Sequence, residues 1–293
     1  MKSLRLAILM IYGLCITAPL QGKELKVLIF GDFGTGTIFQ YRVAQSMYKV
    51  CQSSGCDMGL LLGDNFYERG VRNLQDPIFR TRFEQPYGPL GIPFYVALGN
   101  HDYRGNVQAQ VDYTKVSKFW NLPARYYDFV KENTQFVGLD TNRFDEKQAQ
   151  YLESVLSRSS SAWKVVFAHH PPISYGSHGS DTKLQKTLLP IICKHQVLYF
   201  AGHDHDLQFI KPDCGARIII SGAAAKVREV QPGTMSKFAQ STLGYTRLEI
   251  AEQEARIQFY NAKTNSIIYT ENLTTSTKEV VKKRKTKTSL QQG

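Results

Sequence analysis

Five short loops carry residue types able to bind cations or move protons: Gly31-Asp32-Phe33-Gly34, Gly63-Asp64-Asn65-Phe66-Tyr67, Gly99-Asn100-His101-Asp102, Ala168-His169-His170-Pro171-Pro172 and Gly202-His203-Asp204-His205. Each follows an apolar run. The two oxygens of Asp64 could bridge two cations, and Tyr67 could offer a phenolate, a hard ligand suited to iron. A neutral amide oxygen beside an imidazole, as in Asn100-His101, is unusual turn chemistry, and Asp102 is placed to hydrogen-bond His101 and orient it. Alternation projects His203 and His205 to one side. Taken singly, Asp32 reads as readily as a turn residue, and a lone histidine pair is more often structural than ligating. Five such loops in succession exceed what turns and helix caps require. The chain reads as built to hold two metals.

The elements that must position these loops alternate through the first half of the chain. Strands are expected at Leu25–Phe30, Met58–Leu62, Pro93–Leu98, Tyr126–Val130, Gln135–Asp140, Trp163–Ala168 and Val197–Ala201. Helical spacing covers Ile38–Val50, Asp76 to Phe83 with Pro77 in the first turn, most of Asn106–Phe119, a helix capped by Asp145 and ending near Leu156, and Thr182–Cys193. The last third is mainly strand: Arg217–Ser221, Thr242–Ile250, Ala255–Tyr260 and Ser266–Glu271. This pattern predicts an α/β protein with two packed mixed sheets and helices outside. The candidate residues then lie at the carboxyl ends of strands, where open α/β sheets gather ligands.

With 293 residues, 42% of them apolar and 12% aromatic, the chain can bury a sizeable core. Residues 1–22, with Lys2, Arg5 and an apolar run from Leu6 to Ile16, have the layout of a signal peptide, and the run is short for a membrane span. The expected location is therefore secreted or periplasmic. Residues 23–277 form the expected catalytic domain. Residues 278–293 form a basic tail whose like charges and scarce apolar groups predict disorder. The tail is a candidate contact for anionic surfaces, and it supplies much of the formal charge of +11. After removal of the leader four cysteines remain, an even number that suggests disulfides in an exported protein. Cys51–Cys56 with Cys193–Cys214 is the local pairing; free thiols are the alternative. Asn272-Leu273-Thr274 is a glycosylation sequon.

In order and spacing, Gly-Asp-x-Gly, Gly-Asp-Asn-Phe-Tyr-x-x-Gly, Gly-Asn-His-Asp, His-x-Pro and Gly-His-x-His resemble the calcineurin-like metallophosphoesterases. More closely, they resemble the small purple acid phosphatases of the tartrate-resistant type. The resemblance runs from Leu25 to about Gly222, and includes Gly105–Gln110 and Lys118–Asn121. Many metallophosphoesterases have His two residues after the first Asp. Here that place is Gly34, and Tyr67 stands where the subgroup supplies its replacement ligand. The resemblance implies a four-layer sandwich fold and a dinuclear centre. Asp32, Tyr67 and His205 would hold Fe(III). Asn100, His169 and His203 would hold a divalent Fe, Zn or Mn, and Asp64 would bridge. His169 fits the His-x-Pro frame better than His170. Oxygen-rich ligation suits the trivalent ion and imidazole the divalent one.

Two such cations, about 3.5–4 Å apart, clamp a phosphoryl group and generate a hydroxide nucleophile. His101 is the first candidate to protonate the leaving alkoxide, and His178, in Ser177-His178-Gly179, the second. The expected activity is hydrolysis of phosphate monoesters, on small phosphorylated substrates or phosphoproteins, with an acidic optimum. The alternatives are a phosphodiesterase or nucleotide-cleaving enzyme of the same superfamily, and a non-catalytic anion-binding protein. A monomer is expected, with no nucleic-acid partner and no stable membrane span. The sequence departs from the subgroup at His170, where Tyr is frequent, and at Tyr103, where His is common.

Overall fold

The computed structural model describes residues 24–275, so the leader and the basic tail lie outside the described residues. Fourteen strands are described, in two sheets of seven each. The first sheet takes β1 (Leu25–Phe30), β2 (Met58–Leu62), β3 (Phe94–Ala97) and β4 (Trp120–Asn121) in parallel, and extends past β1 through the antiparallel β12 (Gly244–Ile250), β13 (Glu254–Asn261) and β14 (Ser266–Thr274). The second has β6 (Thr134–Gly138), β7 (Trp163–Phe167), β8 (Leu198–Ala201) and β10 (Arg217–Ser221) in parallel. Around them lie β5 (Tyr127–Lys131), β9 (Leu207–Ile210) and β11 (Ser236–Gln240) as antiparallel partners. The parallel strands are covered on both faces, which is why β2 reads Met-Gly-Leu-Leu-Leu with no polar alternation.

The core divides by strand alternation. In the second sheet Val165, Phe167, Phe200 and Ile219 face inward and join the cluster shared with the first sheet. Their neighbours Val166, Tyr199, Ile218 and Ile220 face outward, into a second cluster under α4 (Glu146–Arg158), α5 (Thr182–Thr187) and α6 (Leu189–Lys194). On the other side α1 (Ile38–Ser54) covers the first sheet through Val43, Met47 and Val50. The result is the expected helix–sheet–sheet–helix sandwich.

Several expected boundaries shift for local reasons. The helix expected to end at Phe83 continues through α2 (Gln85–Tyr87) to Leu90, by way of a wide turn over Arg80–Glu84. The helical stretch after Asn106 shortens to α3 (Val107–Asp112) and one tighter turn. Thr182–Cys193 splits at Leu188, because Pro190 in the first turn of α6 lacks an N–H and crowds the preceding turn. Asp145 caps α4 as expected, accepting from the Gln148 amide at 2.9 Å. Strands β4, β9 and β11 are not among the expected ones; β4 is two residues long, β9 four, and β11 is largely polar. Both local disulfides form, Cys51–Cys56 and Cys193–Cys214. Asn272 is exposed on the edge strand β14. Among the described residues no helix is long and apolar enough to cross a membrane.

Candidate metal centre

The loops after β1, β2 and β3 of one sheet meet those after β7 and β8 of the other. Gly31 N donates to Ser221 O at 2.8 Å and Ser221 Oγ to Ile29 O at 2.9 Å, stitching the two carboxyl edges together. Asp32, Asp64 and His203 take left-handed backbone, with φ of 58°, 52° and 70°. That conformation costs a residue with a Cβ about 1–3 kcal/mol, and it persists here because each loop turns sharply between buried neighbours. Gly99 must lack a side chain: a Cβ there would stand 2.2 Å from Asp64 Oδ1. At Gly34, the position of the missing histidine, a Cβ would lie 1.7 Å from Asn65 O. The Asp64–Tyr67 loop fills that space, so gain of Tyr67 and loss of a side chain at 34 are one packing event.

Seven candidate residues come together. Tyr67 donates its hydroxyl to Asp32 Oδ1 at 2.9 Å and sits 3.2 Å from His205 Nε2. Asp32 Oδ2 accepts the His203 amide at 2.8 Å. His205 Nδ1 is buried and has no hydrogen-bond partner among the described residues. On the neighbouring side, His169 Nδ1 donates to Leu62 O at 2.8 Å, which leaves the lone pair of a neutral ring on Nε2. Around Nε2 stand Asn100 Oδ1 at 3.1 Å, His203 Nδ1 at 3.2 Å and Asp64 Oδ1 at 3.5 Å. Lone pairs of an imidazole, an amide oxygen and a carboxylate thus turn toward one region, an arrangement a cation satisfies. The ligating atoms of Asp32, Asp64 and His169 lie within 4.8 Å of one another, as do those of His169, His170 and His203.

The electrostatics point the same way. Burial pushes the Asp32 carboxyl up to about 8. Burial, then the Asp32 and Asp64 carboxylates, drives the Tyr67 phenol far above its ordinary value. Burial pushes His203 down, and His205 down to about 4. Asp64 is held low although burial opposes it, because His169 and the His101 amide favour its charged form. Buried carboxylates this close, beside His203 and His205 rings that burial keeps from charging, favour a bound cation, which inverts that balance. The residues present fit a metal centre.

The proposed proton donors lie on either side. His101 Nδ1 donates to Glu68 O at 2.8 Å, its ring packs 4.4 Å from Tyr67, and Nε2 is 3.9 Å from Asp64 Oδ2. His178 stacks on His203 at 4.2 Å, and its Nε2 accepts from Arg228, so the proton it can give sits on Nδ1. His170 Nδ1 is tied to Thr141 Oγ1 at 2.9 Å, with its ring 4.5 Å from His203. One expectation is corrected: Asp102 does not orient His101. It is fully buried and accepts from Gly99 N, Asn65 N and Asn65 Nδ2 on one oxygen, and from Phe66 N and Gln110 Nε2 on the other. It clamps two ligand loops together. Tyr103 also points elsewhere, donating to Asp140.

Sequence reasoning missed the cations at this site. Lys226 Nζ lies 3.8 Å over the Tyr67 ring, and Arg82 donates to the carbonyls of Tyr67 and Gly34. Arg228 and Lys226 follow β10 in a loop without regular spacing, and no local signal marks them. With Arg82 and Lys263 they line a cavity of about 720 Å³ beside Tyr67 and His205, whose wall also includes Phe39 and Leu243.

Residues 25–207 match the model of the calcineurin-like phosphoesterases. The chain belongs to the calcineurin-like phosphoesterase family. It is 32% identical to purple acid phosphatase 7 of Arabidopsis thaliana, over 84% of this chain and 86% of the relative. It is 28% identical to tartrate-resistant acid phosphatase type 5 of Rattus norvegicus, over 87% of this chain and 91% of the relative. Within the family it groups with the purple acid phosphatases. Among solved structures, GAP50, described as the anchor in the inner membrane complex of Plasmodium, superposes with a TM-score of 0.78 at 24% identity, covering 86% of this chain and 89% of that one. That likeness concerns the fold alone. Family membership makes the chain a phosphoesterase.

Proposed function

We propose that the chain is an exported acid phosphatase that hydrolyses phosphate monoesters at a dinuclear centre of Fe(III) with a divalent Fe, Zn or Mn. The observation that carries this reading is the ligand set itself. Asp32, Tyr67 and His205 form one group, Asn100, His169 and His203 the other, and Asp64 stands beside both. When bound, the two cations would place positive charge against the phosphoryl oxygens and acidify a water. The chain's own residues do the rest. Leu62 O holds the His169 ring with Nε2 facing Asn100. Glu68 O holds His101 with Nε2 on the Asp64 side, where the ring, once doubly protonated, would pass its Nε2 proton to the leaving alkoxide. Lys226 and Arg228 offer charge to an anionic ester, while Phe39 and Leu243 accept an apolar leaving group. The monoester specificity is supported by the relatives named acid phosphatases, and export by the leader.

A visible spectrum of the purified protein, with metal analysis of the same sample, tests this. The expected result is a broad purple or pink absorption with about two metals per chain including iron, lost in Tyr67→Phe. A colourless protein with two divalent metals would remove the iron–phenolate assignment and leave the hydrolase. Turnover faster on diesters than on monoesters would move the assignment to the phosphodiesterases.

A further inference from the structure

A second cavity, of about 730 Å³, is built on loops that also carry ligand residues. Arg69 and Arg72 follow Tyr67; Tyr103 and Arg104 follow His101. Arg125 and Arg143 complete the wall. Five arginines line one space, and no carboxylate is among the residues that line it. All five arginines are exposed. Tyr103 organises two of them: Arg125 lies 5.6 Å and Arg143 5.2 Å from its ring centre, and Arg125 Nη1 donates to its hydroxyl at 3.2 Å. The adjacent carboxylates are engaged from behind, Asp76 by Arg72 at 3.0 Å and Asp140 by the Tyr103 hydroxyl.

Arg72 is ion-paired with Asp76; the other four like charges around the cavity repel one another, and an anion relieves that repulsion. Guanidinium matches phosphate in a planar, two-bond geometry, and a concave cluster of one sign focuses the field. The volume is that of a small-molecule site. The aromatic and hydroxyl of Tyr103 hold two guanidiniums in place before any ligand arrives. None of the seven candidate metal ligands lines this cavity.

We propose that this cavity is a second site, separate from the metal centre, that binds a small soluble polyanion carrying several phosphate groups. Its occupant does not react there.

myo-Inositol hexasulfate is the probe, because its sulfate esters are not phosphatase substrates. It is titrated calorimetrically into the metal-loaded protein at low and moderate salt. The expected result is one site whose affinity falls steeply with salt, at least about tenfold weaker in Arg69→Ala/Arg104→Ala and in Arg143→Glu, with unchanged thermal midpoints. His203→Ala, in the metal centre, should bind the probe as wild type does. Absence of one-site binding, affinity unchanged in the arginine variants, or affinity lost in His203→Ala would each overturn the proposal.

Discussion

Replacing Asp102 by Asn tests whether one buried carboxylate holds the candidate metal centre together. The change keeps shape and volume but turns one acceptor oxygen into a donor. Either orientation meets donors. On the Oδ1 side the new amide would face Phe66 N and Gln110 Nε2, 3.2 and 3.1 Å from the present oxygen. On the Oδ2 side it would face Gly99 N at 2.8 Å and Asn65 Nδ2 at 3.0 Å. The cheaper choice is the Oδ1 side, where Gln110 can flip and present its own oxygen. The Phe66 amide is then left without an acceptor. A buried unsatisfied donor costs roughly 1–3 kcal/mol, and loss of bonds to a charged acceptor adds to it. The expected cost is about 2–4 kcal/mol, or roughly 5–15 °C in thermal midpoint for a domain of this size. Because Asp102 joins the Asp64 loop to the Asn100 loop, their spacing relaxes too. A displacement of about 1 Å costs on the order of a hundredfold in rate. Thermal denaturation followed by circular dichroism, with kcat on a monoester substrate, reads both effects. A variant that melts with wild type and turns over within a factor of about two would show that the two loops hold their spacing without the carboxylate.

Other changes probe the rest of the molecule. Gly34→Ala forces a methyl into the Asn65 carbonyl, so a loss of about 1–3 kcal/mol or more and a lowered rate are expected from denaturant midpoints and kinetics; wild-type behaviour would mean that the Tyr67 loop can retreat. Glu153 is held down at about 2, chiefly by its hydrogen bond from Lys194 on α6. A depressed carboxyl stabilises the fold above its unfolded value near 4.5 and loses that contribution as pH falls toward 2. Glu153→Gln should therefore be less stable near neutrality by under about 1 kcal/mol, discounted because the pair is partly exposed. The gap should close in acid, and a gap constant with pH would contradict the linkage. Chelation should abolish turnover and lower the stability by about 3–4 kcal/mol if metal was present at several hundred times its Kd, read as a lower thermal midpoint. An unchanged midpoint would argue that no cation is held by these residues.

Much of the candidate centre was legible because its candidate ligands follow strands whose apolar runs are themselves readable. Met58–Leu62 announces where Asp64 must emerge, and Val197–Ala201 where His203 must. The seven candidates needed only that their strands pair in two sheets with carboxyl edges meeting. What escaped was chemistry made by contacts distant in sequence. Asp102 looked like a partner for its neighbour His101, yet it is claimed by Asn65, Phe66 and Gln110, none of them adjacent in the chain. Arg228 reaches His178 across fifty positions. The arginine cavity draws its side chains from four separate stretches, so no window of sequence contains it.

The candidate ligands are held by hydrogen bonds within the protein. Leu62 O aims His169, the His203 amide holds Asp32, the His101 amide holds Asp64, and Asp102 locks the spacing of two loops. Three of these use backbone groups: Leu62 O at the end of β2, and the His203 and His101 amides in the loops just past β8 and β3. The ordering of the site is therefore incurred during folding and need not be repeated when metal binds, which strengthens binding by the cost avoided. The same arrangement explains why left-handed strain at Asp32, Asp64 and His203 is tolerated. Each strained residue is held by a bond from a different loop, so relaxing one would break a contact belonging to another. Loss of the metals should then leave the sandwich folded with its ligand loops in place, while loss of Asp102 should damage the site even when metals are abundant.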